Sequence, residues 1–530
     1  MSYKSNKKKM TNPETYCRGN VEPSSFVGVI LAAGQATRLR PMTNSIPKCL
    51  IKISGKPILQ YQIDSYRSAG ITNLIIVVGY RASAVREYCE GISDINIKFI
   101  ENLEFETTNN MYSFYLAREA IGKRPFILNN ADLIIDASLV QTLLSSPMES
   151  AVAIDSSQFN EESMKVSITE KGFLNNISKE ISPNKSAGCS VDFYKVSAHD
   201  GQKLITEVVK IIEEEKKIND WTEIALQRLF KSGKLQFSAI NIAGLRWVEV
   251  DDFQDVASAD KKFSNFEADL KNFDALFIDL DGTVYLGDTI ISGAAEAINL
   301  LKQSQKRVFF LSNNSSRSKQ EYVSKLIAFG IQASEEDIIL SSDAVLEFLD
   351  QKKIQRVHVL GTESLRNTIA QFGFDVDSDK PEVVIVGYDS ELSYQKLKAA
   401  CRYINNGVDF IATHSDLNCP SEFGPIPDAG AIVALLKLTT GKEPHQIFGK
   451  PFPSTTKSIE RKYQLSPSRC LFIGDRLHTD VLMAKNNGSK SVLVLSGETK
   501  RHCCQQNDFG PDYILQSLAE VRSYDTLGQT

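Results

Sequence analysis

The stretch 26-FVGVILAAGQATRLRP-41 decides how the first half of this chain is read. Six residues, Phe26 to Leu31, are apolar or glycine, and the run then passes into Ala32, Ala33 and Gly34. A short apolar run closed by small residues reads as a buried strand that delivers a tight loop. Small side chains let backbone N–H groups come close to phosphate oxygens. Arg38 follows at once and Lys48 ten residues later, adding positive charge. The loop lacks both GxxxxGK[ST] and GxGxxG, so it is neither a P-loop nor a dinucleotide fingerprint.

Outward from this strand the pattern alternates. Residues 57–70, PILQYQIDSYRSAG, are an amphipathic helix stopped by glycine, and 74–80, LIIVVGY, a buried strand ending at Gly79 and Tyr80. SAVREYCEG is a short helix, IKFIE a strand, MYSFYLAREAIG a helix and PFILNNADL a strand. Such alternation predicts βαβ units on a parallel sheet, with ligands beyond the carboxyl ends of the strands. Residues 150–250 are less regular: AVAIDSS, KVSITE and WVEVDDF read as strands and KLITEVVKIIEEEKKI as a helix. The polar run from Asp255 to Asn272 reads as the end of a domain and a connector.

At Ala275 the rhythm restarts with ALFIDLDGTVY, a helix through AAEAINLLKQSQ, and RVFFLSNNSS. A third apolar strand, VVIVGYD, follows, then a block long enough for an inserted cap, and RCLFIGDR and SVLVLSG as late strands of the same sheet. The expected fold class is therefore α/β with two doubly wound domains. The boundaries are 1–25 a disordered tail, 26–255 a first domain, 256–273 a linker, 274–505 a second domain with its cap at about 387–445, and 506–530 a C-terminal tail.

Composition bounds the function. At roughly 100–200 residues per domain, 530 residues predict two to four domains. A hydrophobic content of 42% and a charged content of 24% are ordinary for a globular protein. A net charge of −5 gives no reason to expect nucleic acid or an anionic membrane as partner. No apolar run reaches the ~18–20 residues that span a bilayer. The basic, polar N-terminus lacks a signal peptide's apolar core, and nine scattered cysteines without a CxxC pair read as reduced thiols, so a cytoplasmic location is expected. The sequence leaves a homodimer open.

Two sets of residues carry chemistry. In the first half, Asp132 closes the strand FILNNAD and Asp251 lies in WVEVDD; two strand-end carboxylates beside a phosphate loop can hold Mg2+ on a triphosphate. Arg38 and Lys48 would offset repulsion between an attacking phosphate and the α-phosphate of a nucleotide. In the second half, 277-FIDLDGTVY-285 sets Asp279 and Asp281 two residues apart at a strand end. Asp279 can attack phosphorus to form an aspartyl-phosphate, and Asp281 can protonate the leaving oxygen and then activate water. Ser312 in 310-FLSNN-314 can donate to a phosphoryl oxygen, Lys450 in 449-GKP-451 supplies fixed charge, and 473-IGDRLHTD-480 supplies Asp475 and Asp480 as Mg2+ ligands.

The pattern LAAG-x-x-x-R-L-x-P…PK-x-L resembles nucleotidyltransferases that act on sugar phosphates and related phosphates. Within that group, 104-EFETTNNMYSFYLA-117, GYRASAVREY and WVEVDD are similar to small cytidylyltransferases using phosphocholine. The resemblance, over about 26–255, implies that Leu31, Ala32, Ala33, Gly34, Gly79 and Asn110 contact the nucleotide. It implies that Arg38 and Lys48 hold phosphates, that Asp132 and Asp251 bind Mg2+, and that Tyr112 and Ser113 lie near base or acceptor. CTP would be the nucleotide and a small phosphorylated alcohol or amine the acceptor. Alternatives are a sugar 1-phosphate acceptor with UTP or GTP, and a non-catalytic nucleotide-binding regulator. Ala36 departs from a position where many members carry glycine; a methyl there resists positive φ. A quaternary ammonium would favour aromatic walls, with Tyr112, Tyr115, Phe193, Tyr194 and Trp221 as candidates.

DLDGT-V-Y, LSNN, GYD…SY, PDAG, GKP and GDRLHTD together resemble the haloacid dehalogenase superfamily, in its nitrophenylphosphatase-like branch with an α/β cap. Over about 274–500 this implies Mg2+ at Asp279, Asp281, Asp475 and Asp480 and hydrolysis of a small phosphomonoester. It places Asn313, Asn314 and the cap residue His414 against substrate, His414 standing where relatives more often show asparagine. One phosphatase acting on the transferase's own acceptor would destroy it, so the halves are expected to use different substrates.

Overall fold

The computed structural model describes residues 22–157, 159, 163–419, 424–505 and 510–521. The expected tails at 1–21, 506–509 and 522–530 lie outside the described residues. The chain divides into two compact units, Met1–Phe263 and Ser264–Thr530.

In the first unit nine strands form one sheet among the described residues. Val27–Ala32 lies at its centre, parallel to Asn73–Val78 on one side and to Phe126–Asn130 on the other, and Asn96–Glu101 extends the parallel part. All six residues of the central strand are buried, as a strand covered on both faces requires. Gly28 is demanded by packing: a Cβ there would fall 2.4 Å from Leu74 and 2.7 Å from Tyr66. The parallel expectation holds as far as Phe126–Asn130, beyond which the sheet turns antiparallel. Gly188–Val196 runs antiparallel to Phe126–Asn130 and to Ala151–Asp155, with a register shift between Ser190 and Tyr194. That shift places Asp192 at φ 51° in a strand, a bulge of the kind that re-aims a side chain beside a site.

In the second unit six parallel strands run in the order Ile338–Leu340, Arg307–Ser312, Ala275–Asp279, Cys470–Gly474, Lys490–Val494, Tyr513–Leu515. A separate four-stranded parallel sheet comprises Val357–Leu360, Val383–Val386, Asp409–Ala412 and Gln446–Ile447. It is flanked by the helices Glu363–Gln371, Tyr394–Asn405 and Ala429–Thr440.

Three expected boundaries are corrected. The cap sheet starts at Val357, upstream of 387, and takes the VVIVGYD strand, because a buried parallel strand reads alike in either sheet. The run 256–273 is no free linker. The helix Phe253–Phe263 buries Val256, Ala259 and Phe263 against Leu39, Ile51 and Val250. Phe266, Leu270 and Phe273 join the second core. Their apolar positions are thinned by Asp and Lys, which hid the helical stripe. The expected C-terminal tail contains the sixth core strand, Tyr513–Leu515, paired with Lys490–Val494.

Candidate active sites

The first candidate site opens beyond the carboxyl end of Val27–Ala32 as a pocket of about 810 Å³. Leu31, Ala33, Gly34, Arg38, Asn110, Ser113, Asp132 and Asp251 line it. Ala32, Ala36 and Lys48 line a smaller recess of about 240 Å³ that shares Gly34, Arg38, Asp132 and Asp251. Gly79 supports the loop from behind: a Cβ there would meet the Ala33 carbonyl oxygen at 2.8 Å. Ala36 adopts φ 49°, the left-handed conformation, despite its methyl group.

Lys48 is the hub. Its Nζ donates to Asp132 Oδ2 at 3.0 Å and to Asp251 Oδ1 at 2.9 Å, and Arg38 pairs with the other oxygen of Asp251 at 3.1 Å. Burial opposes the lysine's charge, but Asp132 and Asp251 outweigh it and hold its pKa above the ordinary value. Asp251, also partly buried, is held low by Lys48 and Arg38. Carboxylate oxygens of Asp132, Glu249 and Asp251 lie within 4.8 Å of one another. Asp132 Oδ1 is buried without a hydrogen-bond partner. An orphaned carboxylate oxygen in a trio of carboxylates is a donor set suited to a hard divalent cation such as Mg2+.

Sequence reasoning missed Glu249, Asp192 and Glu223, which line the same pocket. Glu249 had a signal, since residues two apart on a strand share a face with Asp251. Asp192 and Glu223 had none. The Tyr194 hydroxyl sits 3.0 Å from a carboxylate oxygen of each. Burial, then the charge of Glu223, pushes Asp192 up to about 8. Glu249 reaches the pocket's solvent yet is enclosed on most sides; that enclosure, then Asp132, Asp192 and Asp251, pushes it up to about 8. Acids raised together in this way are desolvated and close to one another, although Arg38, Lys179 and Lys262 also line the pocket.

Of the aromatic candidates, Trp221 lines the pocket. Phe193 is core, packed on Tyr66. Tyr112 stacks on Tyr115 at 5.7 Å, whose ring Arg118 covers at 3.8 Å. These two tyrosines are three residues apart and share the helix face turned from Asn110 and Ser113, so the expected Tyr112 contact is corrected.

The second candidate site lies at the carboxyl ends of Ala275–Asp279 and Cys470–Gly474. Lys450 Nζ donates to Asp279 and, at 2.7 Å, to Asp480 Oδ1, with all three side chains buried. Burial opposes the charge on Lys450, but the two aspartates hold its pKa well above the ordinary value. Asp279 Oδ2 accepts from the Thr283 hydroxyl at 3.3 Å. Asp279, Asp475 and Asp480 form a trio of carboxylates within 4.8 Å, and Asp475 Oδ1 is buried without a partner. This set also suits a hard divalent cation. Gly282, at φ +89°, admits Asp475: a Cβ would fall 2.4 Å from Asp475 Oδ2. Asp475 is pushed up to about 6 by burial and then by Asp480. The Asp281 carboxylate lies outside the trio. Burial raises its pKa against the pull of Lys325, Lys450, Arg317 and Arg476, which favours the neutral acid.

Ser312 is buried, and its Oγ accepts from Asn314 N at 3.1 Å. Asn313 and Asn314, expected against substrate, have protein partners here. Asn313 Oδ1 accepts from Lys450 N at 2.6 Å, and its Nδ2 donates to Lys450 O and to Asp416 Oδ2, each at 3.1 Å. Asn314 Oδ1 accepts from Ser316 N at 3.0 Å. His414 is also corrected: its ring is fully buried between Asp416 and Asp428, with no surface for substrate. Cys49, Cys89, Cys401 and Cys470 are free thiols. No helix among these residues is long and apolar enough to cross a membrane.

One α/β domain sets a basic small-residue loop against carboxylates, and the other sets a buried lysine among aspartates. Residues 27–163 match the nucleotidyl transferase family, and 276–375 and 447–521 match haloacid dehalogenase-like hydrolase families. The chain is 34% identical over 256 residues to 5'-nucleotidase YutF of Bacillus subtilis, covering 48% of this chain and all of that protein. It is 32% identical to an acid sugar phosphatase of Staphylococcus saprophyticus, over 48% of this chain and 98% of that one. A 4-nitrophenylphosphatase structure from Thermotoga maritima is 37% identical at TM-score 0.47, over 48% of this chain and 98% of that chain. Through its second half the chain belongs to the haloacid dehalogenase-like phosphatases, and its first half carries a nucleotidyl transferase domain.

Proposed function

We propose that the first half transfers CMP from CTP to a small phosphate ester carrying a positive charge, a phosphocholine-like acceptor, releasing pyrophosphate. The second half hydrolyses a different small phosphomonoester through an aspartyl-phosphate. The observation that carries the acceptor is the Asp192–Tyr194–Glu223 group. Asp192, raised by burial and then by Glu223, and Glu223, raised by burial and by Glu249, favour a ligand that brings a cation, and the Trp221 ring in the same pocket already holds the Lys179 ammonium at 4.9 Å, a face that accepts such a charge. A bound cation would draw these acids to their ionised form, which a neutral sugar does not do.

An oxygen of the acceptor phosphate attacks the α-phosphorus, and the bond to the pyrophosphate oxygen breaks. Lys48 and Arg38 neutralise the phosphates, and the loop at Ala32–Gly34 holds them close. Asp132 and Asp251, with Glu249 beside them, would hold Mg2+, which supplies charge neutralisation for the triphosphate. In the second half an Asp279 oxygen attacks phosphorus while Asp281 gives its proton to the leaving alcohol oxygen. Asp281 then takes a proton from the water that cleaves the aspartyl-phosphate. Lys450 and Ser312 hold the phosphoryl oxygens, and Asp279, Asp475 and Asp480 would hold Mg2+. A sugar or polyol phosphate is the proposed ester class here, in keeping with the acid sugar phosphatase relative.

The test is pyrophosphate release from a panel of CTP, UTP and GTP, each with phosphocholine, glycerol phosphate and glucose 1-phosphate. CTP with phosphocholine should exceed the rest. Preference for UTP or GTP with glucose 1-phosphate would reject the reading.

A further inference from the structure

His414 is a member of the sequence-derived set that neither site uses. It follows the cap strand Asp409–Ala412 and its side chain is wholly buried. Neither ring nitrogen makes a hydrogen bond, yet each faces a carboxylate. Nδ1 lies 3.7 Å from Asp416 Oδ2, and Nε2 lies 3.5 Å from Asp428 Oδ1. Arg476, 3.7 Å from Asp416, is the other cation facing this group, and it also pairs with Glu498 at 2.9 Å.

Both carboxylates are tied to their surroundings. Asp428 caps the helix Ala429–Thr440 by accepting from Ala429 N at 2.6 Å. Asp416 accepts from Asn313 Nδ2 at 3.1 Å, and Asn313 holds the backbone of Lys450 on both sides. Beside this, the hydroxyls of Ser315 and Thr413 meet at 3.1 Å. The cap therefore contributes Thr413, His414, Asp416 and Asp428, and the core contributes Asn313, Ser315 and Arg476.

We propose that His414 is a positioning residue that fastens the cap to the phosphatase core, and that it does so by bridging Asp428 to Asp416. Each ring nitrogen faces one carboxylate, and a shift of a few tenths of an ångström brings each pair to hydrogen-bond length. The bridge links the first turn of the cap helix to the Asn313 loop. Asn313 keeps two bonds to Lys450 without it, so the loss falls on how the cap closes over an ester rather than on the phosphoryl groups. This inference rests on the phosphatase reading of the second half.

The test is His414→Ala in the full chain, with 4-nitrophenyl phosphate as probe and hydrogen exchange as a second readout. KM should rise about tenfold, the scale of a lost buried partner, while kcat stays within about threefold. Exchange should rise together at 413–417 and 313–316. His414→Gln, which keeps one amide donor, should recover part of the KM. Asp428→Asn keeps the helix cap, and combined with His414→Ala it should be no worse than the single change, because the carboxylate left unpaired is then gone. Unchanged KM and exchange, or additive effects in the double variant, would overturn the proposal. So would stoichiometric zinc that survives dialysis against a chelator in the wild type and is lost in His414→Ala, since the same three residues would then be a metal site. Failure of the wild type to hydrolyse any phosphomonoester would refute the phosphatase reading, while the exchange result still decides the bridge.

Discussion

The two units solve one electrostatic problem with the same motif at different depths. Each sets a lysine between two aspartates: Lys48 between Asp132 and Asp251, and Lys450 between Asp279 and Asp480. The Lys48 group is 15–35% exposed and opens into a roomy pocket, whereas the Lys450 group is at most 10% exposed. The open pocket must admit a nucleotide and an acceptor, and its wall adds Asp192, Glu223 and Glu249. The closed site needs only a phosphoryl group, and an attacking carboxylate gains from being out of water. The difference teaches that charge and depth assign the chemistry, since the lysine–aspartate motif alone is common to both.

The largest expected effect separates the sites. Asp279→Asn should lower phosphomonoester turnover by roughly a thousandfold or more, because it removes the nucleophile, and leave pyrophosphate release unchanged. Lys48→Ala should lower nucleotidyl transfer by roughly a hundredfold or more and spare the phosphatase. If either change removed both activities from a folded protein, the comparison would break. Next, Asp192→Asn should raise KM for phosphocholine by about tenfold to a hundredfold while KM for CTP holds. Equal effects on glycerol phosphate would remove the cation argument.

A smaller effect concerns pH. Burial holds the Asp192 proton in the fold up to about 8, whereas an unfolded carboxyl releases its proton near 4. Between those values the folded state binds more protons, so stability falls as pH rises from about 4 to 8. The first unit should melt at a lower temperature at pH 8 than at pH 6, and Asp192→Asn should narrow that gap by a few degrees. The smallest effect is expected of Ala36→Gly. It relieves a positive φ worth about 1 kcal/mol and should change KM for CTP less than about threefold.

Much of this was legible in the sequence because loops at strand ends keep their chemistry together. Ala32 to Gly34, Asp279 with Asp281, and the GKP and GDRLHTD segments all fall where the alternating pattern puts them. Asp192 was not legible, because its place in the pocket depends on a bulge that no local residue announces. Glu249 could have been found by strand periodicity. Asn313 and His414 are polar residues at a site whose partners, Lys450 and Asp428, come from distant segments, so their structural role depends on tertiary packing. The helix Phe253–Phe263 was hidden because only three of its eleven residues carry the apolar stripe into the core.

The most direct test of the central claim is phosphorus NMR of the full chain with CTP, Mg2+ and phosphocholine in one tube. The account predicts that CDP-choline and pyrophosphate appear together while inorganic phosphate does not grow at the expense of phosphocholine. Phosphocholine falling to inorganic phosphate with no CDP product would contradict it.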